Sequence, residues 1–159
     1  MQIRGVIFED FVNYKKPCMT IESPYCDFKC DKENGAQYCQ NWALSKGEVA
    51  NVPVDELIHA YLNNDITKAV CFQGLEPFNS WEETYEFIYR LRRQYQCKDD
   101  IIIYTGYTEE EVMGRLPQLK KLGNIIIKFG RYRPNEESHY DEVLGVKLAS
   151  SNQYAKRID

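Results

Sequence analysis

The chain has 159 residues, 43% of them hydrophobic and 13% aromatic, which supplies enough apolar surface for one packed domain without external staples. A formal net charge of −4 argues against a protein that grips nucleic acid through its phosphates, because that binding needs a basic surplus. The opening MQIRGVIFEDFVNYKKP lacks the long apolar core of an export signal, and runs such as Ile101 to Tyr104 are too short to cross a bilayer; the expectation is a cytoplasmic protein with no membrane or nucleic-acid partner.

In chain order, Ile3 to Phe8 predicts a flanking strand and Met19 to Glu22 the first core strand, followed by the polar loop SPYCDFKCDKENGAQYCQN. Val54, Leu57, Ile58, Tyr61 and Leu62 recur at helical spacing, with Pro53 placed to open the first turn and His59 off the stripe. Lys68 to Phe72 reads as the second core strand. Trp81, Tyr85, Ile88, Leu91 and Tyr95 form a second helical stripe that Ser80 and Glu83 would start as a capping box, with Arg90, Arg92 and Arg93 on its outer face. Ile101 to Tyr104 is the third strand. Thr108 and Glu111 repeat the capping signal before Val112, Leu116 and Leu119, Pro117 distorts that helix midway, and Gly123 can end it. Ile125 to Phe129 is the fourth strand. Near-continuous apolar strands alternating with helices predict an α/β protein with a largely parallel sheet and right-handed crossovers. Residues 1–159 read as a single domain, with 131–159 a polar tail packed across one edge and a strand-like piece at Val143 to Leu148.

In such sheets, ligands bind beyond the carboxyl ends of the strands. The unusual residues collect there: SPYCDFKC after the first core strand, QGLEPF after the second, TGYT after the third and GRYRP after the fourth. Each loop also has a plainer reading. Gly74, Pro77, Gly106 and Gly130 turn the chain, Glu76 is a surface acid, Arg131 and Arg133 are solvated, and His139 and Asp141 lie in a surface turn.

Three of the six cysteines, Cys26, Cys30 and Cys39, fall in one loop as C-x3-C-x8-C. In a reducing compartment, clustered cysteines bind metal or catalyse more often than they form disulfides. Structural zinc wants four ligands, usually as two close pairs. Here a fourth would have to be Cys18, Cys71, Cys97 or a histidine, none at a familiar spacing; those three cysteines read as structural. Three thiolates without a fourth suit a 4Fe-4S cluster that keeps one iron open to a small molecule.

With these motifs the chain resembles the radical S-adenosylmethionine (SAM) superfamily, and within it the activating proteins of anaerobic, class III ribonucleotide reductases. The likeness runs nearly end to end, through GVIFEDFVN, the cysteine loop, QGLEPF in place of a GGEP-type motif, IIIYTGYTEEEV and LASSNQ. It implies a partial, open (β/α) barrel-like parallel sheet, since the βα units are too few for a closed barrel of about 250 residues. It implies that Cys26, Cys30 and Cys39 hold a 4Fe-4S cluster and that SAM chelates its open iron. Gly74, Leu75, Glu76 and Pro77 would offer carbonyls to the SAM ammonium, Thr105 and Gly106 would line the nucleoside, and Tyr38 would lie against the adenine. The implied function is an activase that cleaves SAM reductively, with an electron from flavodoxin or ferredoxin, and places a glycyl radical on the reductase catalytic subunit. Radical SAM chemistry on another substrate, and a non-catalytic zinc or iron-sulfur module, are the alternatives. Two departures stand out. The family spacing is C-x3-C-x2-C, so six residues such as DKENGA are inserted here, and Leu75 replaces a second glycine.

Overall fold

A computed structural model describes residues 1–159. Its main sheet has six strands: β2 (Gly5–Asp10), β3 (Cys18–Ser23), β5 (Ala69–Gly74), β6 (Asp100–Tyr104), β7 (Ile125–Phe129) and β10 (Tyr154–Arg157), in the order β10-β7-β6-β5-β3-β2. The four inner strands are mutually parallel, and both edges are antiparallel. The short strands β1 (Gln2–Ile3) and β4 (Ala50–Asn51) pair with each other, as do β8 (His139–Asp141) and β9 (Val146–Leu148). Thus the tail contributes both a hairpin and an edge strand. No helix is long and apolar enough to cross a membrane.

Alternation along the inner strands divides the core in two. Met19, Ile21, Val70, Phe72, Ile101, Ile103, Ile125, Ile127 and Phe129 join a cluster with α2 (Val54–Leu62) and α3 (Trp81–Arg93) through Leu57, Ile58, Phe87, Ile88 and Leu91. Cys18, Ala69, Cys71, Ile102 and Ile126 point the other way, under Tyr14, Leu144 and Leu148. A strand buried on both faces is apolar at most positions, which is why these segments read as near-continuous runs. Cys18 and Cys71 are fully buried in this second layer.

Several helix signals resolve differently from expectation. Pro53 is the N-cap residue of α2 and not its first helical residue. Ser80 makes no capping bond; its Oγ is buried without a partner, and Glu83 instead accepts from the Gln2 amide at 3.1 and 3.2 Å. The Thr108–Glu111 capping box forms, but the helix beyond it is two pieces, α4 (Glu109–Val112) and α5 (Leu116–Lys120), because Pro117 sits in the first turn of the second. Arg92 is not simply outward: its guanidinium donates to the carbonyls of Cys97, Asp99, Gly123 and Asn124. Asp141 is not a surface residue either, since it is buried and accepts from the Leu144 and Ala155 amides at 2.9 Å each.

Asp100, at the start of β6, stitches both ends of the chain to the sheet. It accepts from the Tyr14 hydroxyl at 2.9 Å, Lys16 Nζ at 2.8 Å and Arg157 Nη2 at 3.1 Å. Burial alone would raise its pKa, but bonds from Lys16, Tyr14 and Arg157 outweigh burial and hold the carboxyl below its ordinary value. A depressed folded-state pKa means stability that is present above the ordinary carboxylate range and lost as pH falls through the folded value. Asp100→Ala is expected to destabilise by about 1–2 kcal/mol near neutral pH, measured by urea unfolding, because it leaves the buried Tyr14 hydroxyl without its acceptor, while the half-exposed Lys16 and Arg157 regain water. The difference from the parent should shrink in acid, below the ordinary aspartate range.

Candidate metal and cofactor cleft

A cleft of about 390 Å³ opens at the carboxyl edge of the parallel strands. The pairings Ser23 with Gly74 and Tyr104 with Lys128 bring the loops after β3, β5, β6 and β7 to this one edge. The residues from Val146 to Ala149 close its far side.

Cys26, Cys30 and Cys39 all line this cleft, and no other cysteine does. Cys26 lies in the loop after β3, which docks on the neighbouring loop through the Glu76 amide donating to the Tyr25 carbonyl at 2.8 Å. The Phe28 amide donates to Cys26 Sγ at 3.2 Å, from a residue in the left-handed region with φ 54°. Cys30 stands on α1 (Lys29–Asn34), a short helix that sequence periodicity does not announce. Burial pushes the Cys26 thiol up to about 12, with the charges of Glu76, Asp27 and Cys39 adding to it. Burial likewise raises Cys30 and Cys39, and Cys39 is raised further by Asp31 and Cys30. The three thiols are partly buried, and that burial favours their protonated form while no metal is bound. No three His, Cys, Asp or Glu side chains gather as ligands of a single ion. A 4Fe-4S cluster asks for something else, three sulfurs around a shared volume with each on its own iron, and a cleft walled by three free thiols fits that donor set.

The GLEP segment forms the next wall. Gly74 has φ +89°, and a Cβ there would lie 2.8 Å from Leu44 Cδ2 and 3.3 Å from Glu22 Cα, so this position requires glycine. Leu75, where the family pattern has a second glycine, has no positive φ, is 7% exposed and lines the cleft. The leucine is thus accommodated as an apolar wall without backbone strain.

Glu76 is not a surface acid but one of the most enclosed in the chain, at 5% exposure. Its Oε1 accepts from Thr105 Oγ1 at 2.7 Å and the Phe78 amide at 3.1 Å, and its Oε2 from the Gly106 amide at 2.9 Å. Burial raises its pKa to about 6, against these three bonds and the charge of Lys128. This carboxylate ties the loop after β5 to the loop after β6. Gly106 sits between it and a thiol: a Cβ there would stand 3.5 Å from Cys30 Sγ and 3.7 Å from Glu76 Oε2.

Of the residues singled out from sequence, Cys26, Cys30, Cys39, Gly74, Leu75, Glu76, Thr105 and Gly106 share the cleft. Pro77 and Tyr38 do not line it: Pro77 is buried in a short turn after Glu76, and Tyr38 is 45% exposed. Arg131, expected to be solvated, has a side chain only 12% exposed and pairs with Glu33 and Glu111.

Lys128 went unnoticed in the sequence. It is 7% exposed, and its Nζ donates to the carbonyls of Gly130 at 2.9 Å and Thr105 at 3.4 Å. Burial lowers its pKa to about 8, opposed by the charges of Glu76 and Cys30. The only sequence signal was a charged residue interrupting the apolar run IIIKF. Gln153, from the LASSNQ element, also lines the cleft and donates to the Gly130 carbonyl at 3.3 Å.

A family model described as a 4Fe-4S single cluster domain matches residues 19–155, a span that contains the three cysteines and every strand of the parallel core except the first residue of β3. Neither the curated proteins nor the solved structures yield a match.

Proposed function

Because the chain belongs to the 4Fe-4S single cluster domain family, we propose that it is a radical SAM activase that makes a glycyl radical on an anaerobic ribonucleotide reductase. The observation that carries this reading is the company the three cysteines keep. Their cleft is shared with Gly74, Leu75, Thr105, Gly106 and a buried acid and base, and not with a fourth cysteine. A donor set closed by four thiolates would be an electron carrier or a structural site, whereas three leave a coordination position for a chelating small molecule.

Cys26, Cys30 and Cys39 hold the cluster. The cluster would supply the electron for reductive cleavage of SAM, and so the radical chemistry directed at the target glycine. The protein's own residues bind and orient. The loop at Gly74 presents backbone carbonyls to the ammonium of the methionine moiety. Lys128 has three N–H donors and uses two on carbonyls, which leaves one for a ligand carboxylate. Leu75 keeps water from one wall, and Glu76 holds the Thr105 and Gly106 loop where the nucleoside lies. Ile7, Phe8, Phe11 and Val12 are 42–75% exposed, and Val12 reaches the cleft wall, which suits a protein substrate approaching from that side.

The test is anaerobic. Reconstituted and reduced protein incubated with SAM and the reductase catalytic subunit should yield 5'-deoxyadenosine and a glycyl-radical signal by electron paramagnetic resonance (EPR). Deoxyadenosine without the glycyl signal would move the activity to another substrate. Neither product from cluster-loaded protein would leave a non-catalytic module.

A further inference from the structure

Eight residues separate Cys30 from Cys39, and an unstructured loop of that length would not hold the third thiol beside the second. The structure closes this loop locally. After Cys30 the chain continues as α1 to Asn34 and reverses at Gly35, with φ +70°. It returns so that one oxygen, Asp31 Oδ1, accepts from two successive amides: Tyr38 N at 2.8 Å and Cys39 N at 2.7 Å. A carboxylate that bonds consecutive main-chain amides makes strong, charge-assisted contacts and fixes the direction of the chain at that point.

The helix that carries Asp31 is itself anchored. Asn34 Nδ2 donates to the Cys30 carbonyl at 2.7 Å and the Tyr132 carbonyl at 3.3 Å. Glu33 pairs with Arg131 and Arg133, each at 3.2 Å. The extra residues between the cysteines are therefore folded onto the segment after β7, the same segment whose Gly130 carbonyl receives Lys128.

We propose that Asp31 is the positioning residue for Cys39. Its carboxylate does for the long spacing what a short spacing does by chain length alone, holding the third cysteine's backbone so that its thiol faces the cleft beside Cys30. The inference rests on the reading that the three cysteines hold a 4Fe-4S cluster. Asp31 touches neither cluster nor substrate and acts through Cys39.

The experiment compares the full-length parent, Asp31→Ala and Asp31→Asn, each reconstituted without air with ferrous iron and sulfide. Iron and sulfide per chain, the EPR spectrum after dithionite reduction, and the thermal midpoint of the metal-free protein are measured. The parent should approach the four irons of the family's cluster. Asp31→Ala should keep its metal-free midpoint yet hold the cluster about tenfold or more weakly, read as lower occupancy at limiting iron, the size of effect known for residues that orient metal ligands. Asp31→Asn, whose amide oxygen still accepts from both amides, should regain most of that occupancy and the parental spectrum. Full occupancy with an unaltered spectrum in Asp31→Ala overturns the inference and leaves the cluster reading intact. So does an equal loss in both variants, or a metal-free Asp31→Ala that no longer unfolds cooperatively. A parent that takes up no cluster removes both.

Discussion

Alanine at Cys26, Cys30 or Cys39, one at a time, should abolish a stable 4Fe-4S cluster, while alanine at Cys97 should leave iron content unchanged. Only the first three line the cleft, and each is a partly buried free thiol. Losing a ligand should exceed the 10- to 100-fold losses of affinity that follow from disturbing an outer partner, so the cluster should be held more than about 100-fold more weakly and little iron should remain after desalting. The metal-free fold should hardly notice. Burial disfavours the thiolate at all three sites, and at Cys26 alanine removes a hydrogen bond in which sulfur is only a weak acceptor for the Phe28 amide. Iron and sulfide analysis with the visible spectrum checks the first expectation, and thermal unfolding of the metal-free variants the second. Full iron in any of the three variants would break the assignment of that cysteine.

Glu76→Ala should cost about 3 kcal/mol of stability and, if the cleft takes SAM as proposed, should also abolish its retention. The substitution leaves the Thr105 hydroxyl and the amides of Gly106 and Phe78 without their acceptor inside a closed wall, each a loss of about 1–3 kcal/mol that entering water reduces in part. Glu76→Gln is the informative partner. One amide oxygen can still serve Phe78 and Thr105, but the amide nitrogen would face the Gly106 N–H, donor against donor. Its stability should fall between parent and alanine, and its hold on SAM should weaken because the loop at Gly106 shifts. Urea unfolding of the metal-free proteins and equilibrium dialysis of SAM with the cluster-loaded ones separate the two effects. SAM retention in Glu76→Ala equal to the parent would show that the tie between the two loops does not shape the site.

The contrast between two capping signals shows how far local sequence reaches. Thr108 and Glu111 form their box because both partners lie within one turn and nothing distant competes. Ser80 and Glu83 have the same pattern, yet Glu83 turns to the amide of Gln2, a residue 81 positions away that only the folded chain brings near. Arg131 reads as solvated by composition, but Glu33 and Glu111 converge on it from two other segments. Lys128 in an apolar run gives no hint that the carbonyls of Thr105 and Gly130 wait for its ammonium. Tyr38, adjacent to Cys39, is not among the residues that line the cleft; its amide bonds Asp31 and its side chain is exposed.

Sequence alone determined the alternating strands and helices, the sheet edge at which the special loops gather, and the three thiols that make metal chemistry the leading question. Those features follow from apolar periodicity, turn residues and cysteine spacing, all properties of short stretches. Tertiary structure decided which polar groups face one another across the cleft: Glu76 between two loops, Lys128 in its wall, Leu75 without strain, and Asp31 folded back on Cys39. Burial sets the worth of each of those contacts, and burial depends on residues far apart in the chain.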